Sequence, residues 1–229
     1  MRRAFGDLGP ADLVWTDPPY GVAYQTKLST QEAVARHRRT DGLEISNDLP
    51  EDIPALLAAA FANAPLKPGG AYYVASPSSA DVLPAFYQTL AAAGMPVRQQ
   101  LIWVKDAFVM GRHDYHYRHE PILYGWKEGA AHLFSGGRSQ DTVWEIPRPR
   151  RSEEHPTMKP VELVARALRN SSGPRDLVYE PFAGSGSTII AAERTGRRCV
   201  AIEIDPRYAQ VSIERWEAFT GRTAEKLGG

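Results

Sequence analysis

Sulfur chemistry, an excess of charge and long apolar runs are what this chain has least of, and each shortage narrows what it can do. Among 229 residues there is one cysteine, Cys199, so neither an internal disulfide nor a cysteine metal cluster can form. It lies in the apolar run Cys199-Val200-Ala201-Ile202, where it reads as a small buried hydrophobe and fits a reducing cytoplasm. The 27 basic residues balance the 27 acidic ones, so any surface for nucleic acid has to be local. No segment approaches the roughly 20 apolar residues of a membrane span. The start, Met1-Arg2-Arg3-Ala4-Phe5-Gly6-Asp7, has no apolar stretch after its charges, so no secretion signal is expected. What is present, 43% hydrophobic residues spread along the chain, suffices for one buried domain over residues 1–229.

Short apolar runs bounded by glycine, proline and charge recur at Asp12 to Thr16, Ala71 to Ala75, Gln100 to Val104, Pro121 to Trp126, Asp176 to Glu180 and Arg198 to Ile204. Each reads as a strand. Between them, Asp52 to Asn63, Ser79 to Ala93, Val161 to Asn170 and Ser187 to Thr195 place apolar residues at helical spacing. The alternation predicts a three-layer α/β sandwich around a mostly parallel sheet. Leu101 to Val104 and Ile122 to Trp126 are joined without a convincing helix, which predicts one antiparallel strand near a sheet edge. The stretch from Gly129 to His155, rich in Gly, Arg and Pro, is expected to be a surface insertion of loops, and Gly21 to Asp48 a second irregular region around a short helix.

Three segments carry chemistry. The strand Leu13-Val14-Trp15-Thr16 runs into Asp17-Pro18-Pro19-Tyr20. Two prolines fix a rigid turn at the carboxyl end of a strand, the end where open α/β sheets bind ligands. A carboxylate and a backbone carbonyl held there can accept both hydrogens of a planar aromatic amine, and Tyr20 can stack on its ring. Alone, the segment reads equally as a proline-rich turn capping a core strand. The second segment is the strand Asp176 to Glu180, the loop Pro181-Phe182-Ala183-Gly184-Ser185-Gly186 and the helix after it. Glycines let a backbone approach a ligand and the helix N-terminus offers amides. The loop lacks both the Gly-Lys-Ser/Thr ending of a P-loop and a third glycine at dinucleotide spacing, so a nucleoside without a strong phosphate cradle fits best. The next strand delivers Glu203, then Asp205, about 20 residues on, where an acid can take ribose hydroxyls. The third segment is His155-Pro156-Thr157-Met158-Lys159-Pro160. There Lys159 can bind a carboxylate, and Pro160 suits the first position of a helix.

In this order the segments resemble the permuted beta group of DNA amino-methyltransferases. The resemblance spans nearly the whole chain: Asp17 to Tyr20, the Leu66 to Gly70 turn, Trp103 to Lys105, His119-Glu120, the His155 to Pro160 box, Phe182 to Gly186, and Glu203. It implies a Rossmann-like methyltransferase fold and S-adenosylmethionine as cofactor, with no metal. It also implies that Asp17, Pro18, Pro19 and Tyr20 are catalytic, and that Thr157, Lys159, Pro160, Glu180, Phe182, Ala183, Gly184, Ser185, Gly186 and Glu203 hold the cofactor. Two departures stand out. Glu180 occupies a place usually taken by Asp, and Gly6-Asp7, before which members commonly carry a further strand, sits near the first residue. That strand is expected to be missing or supplied by a partner.

The partner implied is double-stranded DNA, with a homodimer as a candidate assembly. The expected target-recognition insertion is short, at about 129–154. Candidate DNA contacts are Arg38, Arg39, Arg112, Arg118, Arg138, Arg148, Arg150 and Arg151, accompanied by His113, Tyr115, His116 and Tyr117. Arginines neutralise phosphates, and aromatic rings can fill the space a flipped base leaves. Asp at the first catalytic position is, in the family, more typical of enzymes acting on adenine N6. Cytosine N4 is the alternative substrate, and a degenerate methyltransferase-like DNA-binding subunit the alternative of another class.

Overall fold

The computed structural model describes residues 9–20, 53–108, 110, 114–149 and 158–227. Among these, seven strands and five helices form in the order β1 (Ala11–Thr16), α1 (Ile53–Ala62), β2 (Leu66–Ala75), α2 (Leu83–Ala92), β3 (Gln99–Val104), β4 (His119–Trp126), β5 (Val143–Glu145), α3 (Val161–Ser171), β6 (Leu177–Glu180), α4 (Ser187–Thr195), β7 (Arg198–Ala201) and α5 (Pro206–Thr220). The strands make one sheet in the order β5-β3-β4-β2-β1-β6-β7. Only β4 runs against its neighbours, pairing antiparallel with both β2 and β3. The expected antiparallel strand is therefore present, third from the β5 edge.

Strand periodicity explains the three layers. Along β1 and β2, Leu13, Trp15, Ala71 and Tyr73 point to one face, where they pack with Leu163, Val164, Ala167 and Leu168 of α3 and Ala191 of α4. Val14, Tyr72 and Val74 point to the other face and pack with Leu57 and Phe61 of α1 and Phe86 and Leu90 of α2. A period of two on the strands meets helices on both sides, which buries β1 almost completely. The Leu66 to Gly70 stretch, expected as a turn, belongs to β2. There Ala11 pairs with Leu66 while Leu13 pairs with Ala71, so a bulge takes up the extra residues.

The chain moves from β1 to β2 on one side of the sheet and from β6 to β7 on the other, with β1 and β6 paired in parallel between them. This reversal is the topological switch point at which α/β sheets open a crevice for ligands.

Two elements depart from the sequence-based expectation. The region from Gly129 to His155 contains β5, parallel to β3, with Trp144 only 1% exposed between half-open neighbours. One buried aromatic in three residues leaves no apolar run to read. Helix α5 was not expected, because its buried positions are few, Tyr208 and Ser212. Its signals are at its ends: Asp205 caps it by accepting from the Arg207 amide, Pro206 opens it, and Gly221 closes it in a left-handed conformation. Among the described residues no helix is long and apolar enough to cross a membrane.

Candidate active site

β1, β3 and β6 end on one edge of the sheet and β4 begins there, as the pairing of Val104 with His119 and of Ala75 with Ile122 requires. That edge gathers Asp17, Lys105, Glu120 and Glu180, residues far apart in the chain.

Asp17 is the meeting point. Its Oδ1 accepts from the Lys159 ammonium at 2.7 Å and from the Tyr20 hydroxyl at 2.9 Å. No described residue hydrogen-bonds Oδ2, and the side chain is 27% exposed. Lys159 also lies 3.0 Å from Glu120 Oε2, while Lys105 lies 2.5 Å from Glu120 Oε1. The Tyr20 hydroxyl is within 3.2 Å of that same Oε2. Two ammoniums and two carboxylates thus alternate in a row, Lys105, Glu120, Lys159 and Asp17, and the Tyr20 hydroxyl touches the last three. Lys105 and Lys159 are 8% and 10% exposed, so these charges interact in surroundings that screen little.

Each group's proton affinity follows from this packing. Burial raises the Asp17 carboxyl above the ordinary carboxylate range; Lys159 opposes the rise and Glu120 adds to it. Burial also works to raise Glu120, but Lys159 and Lys105 together outweigh it and hold that carboxyl down at about 2. For Lys159, burial favours the neutral form, yet Asp17 and Glu120 overcome it and keep the ammonium more firmly protonated than usual. Burial, then Asp17 and Glu120, push the Tyr20 hydroxyl well up, so it stays a donor.

Glu180 sits just across the switch point and is 2% exposed. Its Oε1 accepts from the Thr16 hydroxyl at 2.6 Å and the Phe182 amide at 3.0 Å, and its Oε2 from the Thr188 hydroxyl at 2.8 Å. One carboxyl thereby ties the residue before Asp17 to the glycine loop and to α4. Burial raises it to about 8 despite those three donors.

The glycine loop has two unlike glycines. Gly184 has φ +51°, and a methyl group added there would meet nothing within 4 Å, whereas at Gly186, φ +80°, it would strike Ser212 at 2.8 Å. The space beside Gly184 is open, whereas Gly186 lets α5 pack close. Helix α5 also pins the loop through Ser212, whose hydroxyl donates to the Gly184 carbonyl, and Arg215, which donates to the Ser185 carbonyl. Glu203 stands beside the loop, Oε2 accepting from the Gly184 amide at 2.7 Å and Oε1 from the Asp205 amide at 2.9 Å.

Of the expected site residues, the structure brings together Asp17 to Tyr20 with Lys159, and Phe182 to Gly186 with Glu180 and Glu203. The Lys159 ammonium, expected on a cofactor carboxylate, points instead to Asp17 and Glu120, and its backbone carbonyl accepts from Ser187 at the start of α4. Pro160, expected as the first helical residue, is the cap preceding α3. Asp205, the second acid expected at the ribose, is occupied as the α5 cap and in a pair with Arg207. Arg118 and Arg148 flank this same edge, next to β4 and Asp106. Arg138 follows Gly136, which packs against Asn170 at the far end of α3. Arg38, Arg39, Arg112, Arg150, Arg151 and Thr157 lie outside the described residues, as do Gly6-Asp7. Sequence reasoning assigned no role to Lys105 and Glu120, although both sit in matched motifs; only the β3–β4 register shows that they share one ion pair.

Residues 11–214 match the N6/N4 methyltransferase model described as DNA methylase. The chain belongs to this family. It is accordingly a DNA methyltransferase of the S-adenosylmethionine-dependent N6/N4 class. It is 26% identical over 251 residues to the DNA adenine methyltransferase YhdJ of Escherichia coli K12, covering 94% of this chain and 79% of that protein. It is 25% identical to the type II methyltransferase M2.DpnII of Streptococcus pneumoniae, covering 90% and 82%. In fold it is similar to M1.HpyAVI solved with S-adenosylmethionine, at TM-score 0.69 and 21% identity over 94% of this chain and 93% of that one. It is also similar to the cytosine-N4-specific PvuII methyltransferase, at TM-score 0.65 and 16% identity over 92% and 80%.

Proposed function

We propose that this methyltransferase modifies N6 of adenine in double-stranded DNA and that Asp17, Pro18, Pro19 and Tyr20 perform the transfer. The observation that carries this is the asymmetry of Asp17: Oδ1 is anchored by Lys159 and Tyr20, while Oδ2 has no hydrogen-bond partner among the described residues, on a side chain that is partly exposed. An anchored carboxylate with one open oxygen is an acceptor aimed at an incoming amine. The Pro18 carbonyl, held by the rigid turn, takes the amine's second hydrogen. Accepting both hydrogens draws the nitrogen lone pair out of conjugation and toward the methyl group.

The residues across the switch point fit the cofactor, because the backbone at Gly184 is open and Glu203 stands beside it. Phe182 to Gly186 and Glu203 would hold its nucleoside. When bound, S-adenosylmethionine supplies an electrophilic methyl group. Asp17 is placed to accept the proton that the amine nitrogen would shed on taking that methyl group. Most of the acceleration comes from orienting two bound reactants in line. Glu180 is internally satisfied, so its part is to hold Thr16 and Thr188 across the two sites.

The amine lies inside the duplex, so the base has to be turned out, at a cost of a few kcal/mol that stacking offsets. Tyr20, fixed by its hydroxyl and its edge contact with Phe86, offers a rigid ring for that stacking. Around the same edge, Phe108, Met110, Tyr115 and Tyr117 are exposed near Arg118 and Arg148, a mixture suited to phosphate and unstacked bases. Adenine is favoured by Asp17 and by the adenine specificity in the name of YhdJ. The deciding experiment incubates the protein with duplex DNA and methyl-labelled cofactor, digests to nucleosides and identifies the labelled one. N6-methyladenine is expected, and N4-methylcytosine as sole product would overturn the base assignment.

A further inference from the structure

We propose that Glu120 and Lys105 are positioning residues for methyl transfer: they hold Lys159 between two carboxylates and so set how strongly Asp17 accepts a hydrogen bond. This rests on the assignment of Asp17 as the amine acceptor. The geometry is a chain of contacts from Lys105 at the end of β3 to Glu120 on β4, then Lys159 before α3, then Asp17 at the end of β1. Tyr20 closes it, its hydroxyl reaching both Asp17 and Glu120.

The charge balance gives this chain its purpose. A lone lysine on Asp17 would pull electron density from the acceptor oxygens and add a positive charge where a sulfonium must approach. Glu120 on the other side of Lys159 divides that pull and cancels the charge. Lys105 in turn keeps Glu120 ionised, and it is fixed over the Trp103 ring at 5.3 Å. The set of two positive and two negative groups is neutral, which keeps two nearly buried ammoniums and two part-buried carboxylates tolerable. The groups that face Asp17 are Lys159, Glu120, Tyr20 and, across the switch point, Glu180. Of these, Glu120 alone reaches Asp17 through both Lys159 and Tyr20.

The test titrates the Asp17 carboxyl by 13C NMR in protein labelled at aspartate carboxyls, with Asp17→Asn assigning the signal, beside a pH profile of methyl transfer. Removing a negative neighbour makes Asp17 easier to ionise, so Glu120→Gln lowers its midpoint by about one pH unit. Lys105→Met leaves Glu120 uncompensated and raises it, while Glu120→Asp, which keeps the charge, leaves it near the wild-type value. The acid limb of the transfer profile follows each shift. Thermal unfolding of all three variants identifies any that have lost the fold. An unchanged midpoint in Glu120→Gln, or shifts of the same sign in Glu120→Gln and Lys105→Met, overturns the proposal. A wild-type protein that transfers no methyl group sinks the assignment of Asp17 instead, because the carboxyl titration needs no turnover.

Discussion

The two sides of the switch point solve different problems with different materials. On the β1–β2–β4–β3 side, the site is built from charged side chains locked to one another, Asp17, Lys159, Glu120 and Lys105, with the Tyr20 hydroxyl touching the first three. On the β6–β7 side it is built from backbone and small hydroxyls, with Gly184 open, Gly186 packed on Ser212 and Glu203 holding the loop amide. An amine that must be reshaped before it reacts needs strong acceptors at fixed positions, and only ordered charge in a dry setting provides them. A cofactor that must enter and leave needs room and donors that cost little to reorganise. Glu180 joins the sides, gripping Thr16 on one and Thr188 on the other.

The sharpest way to break this contrast is Asp17→Asn. The amide replaces an acceptor oxygen by a donor, which opposes either the incoming amine or Lys159. Turnover is expected to fall by about 100- to 1000-fold, with S-adenosylmethionine affinity by calorimetry little changed. A collapse of cofactor affinity alongside turnover would mean the two sides are not separable.

The two glycines test the other side against itself. Gly186→Ala pushes a methyl group to 2.8 Å from Ser212 at positive φ, and the overpacking is expected to cost about 2 kcal/mol in denaturant unfolding. Gly184→Ala meets no neighbour and pays only the left-handed strain, about 1 kcal/mol. Its methyl group occupies the open face instead, so cofactor affinity falls more than stability does. Equal stability losses without an affinity change at Gly184 would remove the distinction.

Much of this contrast was legible in the sequence. Strand runs, the order of motifs, the Asp17 to Tyr20 turn and the Phe182 to Gly186 loop each sit within a few consecutive residues, so local patterns reveal them. The charged network was not legible, because Lys105, Glu120 and Lys159 meet only through strand pairing and the return of the chain to α3. Glu180 shows the same limit: a strand-ending acid before a glycine loop reads as a ligand group, and only its partners Thr16 and Thr188 show its carboxyl already engaged. β5 and α5 escaped because each is anchored by very few buried residues, Trp144 in one and Tyr208 and Ser212 in the other.

Glu180 also predicts a pH dependence of stability. Its carboxyl is raised from 4.5 to about 8 in the folded chain, chiefly by burial. Between those values the native state holds a proton that the unfolded chain has released, so wild-type stability contributed here is full below 4.5 and declines as pH rises through 8. A protonated carboxyl still satisfies both threonines, since a hydroxyl accepts as well as donates. Glu180→Gln removes the titration, and its stability relative to wild type should rise between pH 5 and pH 8 by about 3 kcal/mol, since each pH unit between the two values is worth about 1.4 kcal/mol. Parallel unfolding curves for the two proteins across that range would show Glu180 to be ionised throughout.

The smallest effect concerns the rim. Arg118 borders the charged side of the catalytic edge, whereas Arg138 follows the loop packed at the far end of α3. Exposed arginines that meet phosphate act through released counterions, one at a time and without regard to sequence. Arg118→Ala is expected to weaken binding of unrelated duplexes alike and to reduce the slope of log affinity against log salt by about 1. Arg138→Ala should leave that slope unchanged. Fluorescence anisotropy over a salt series measures both, and equal slope changes would show that DNA spans the molecule rather than lying along the edge where β1, β3 and β6 end, since only a duplex covering both ends of α3 could touch the two arginines at once.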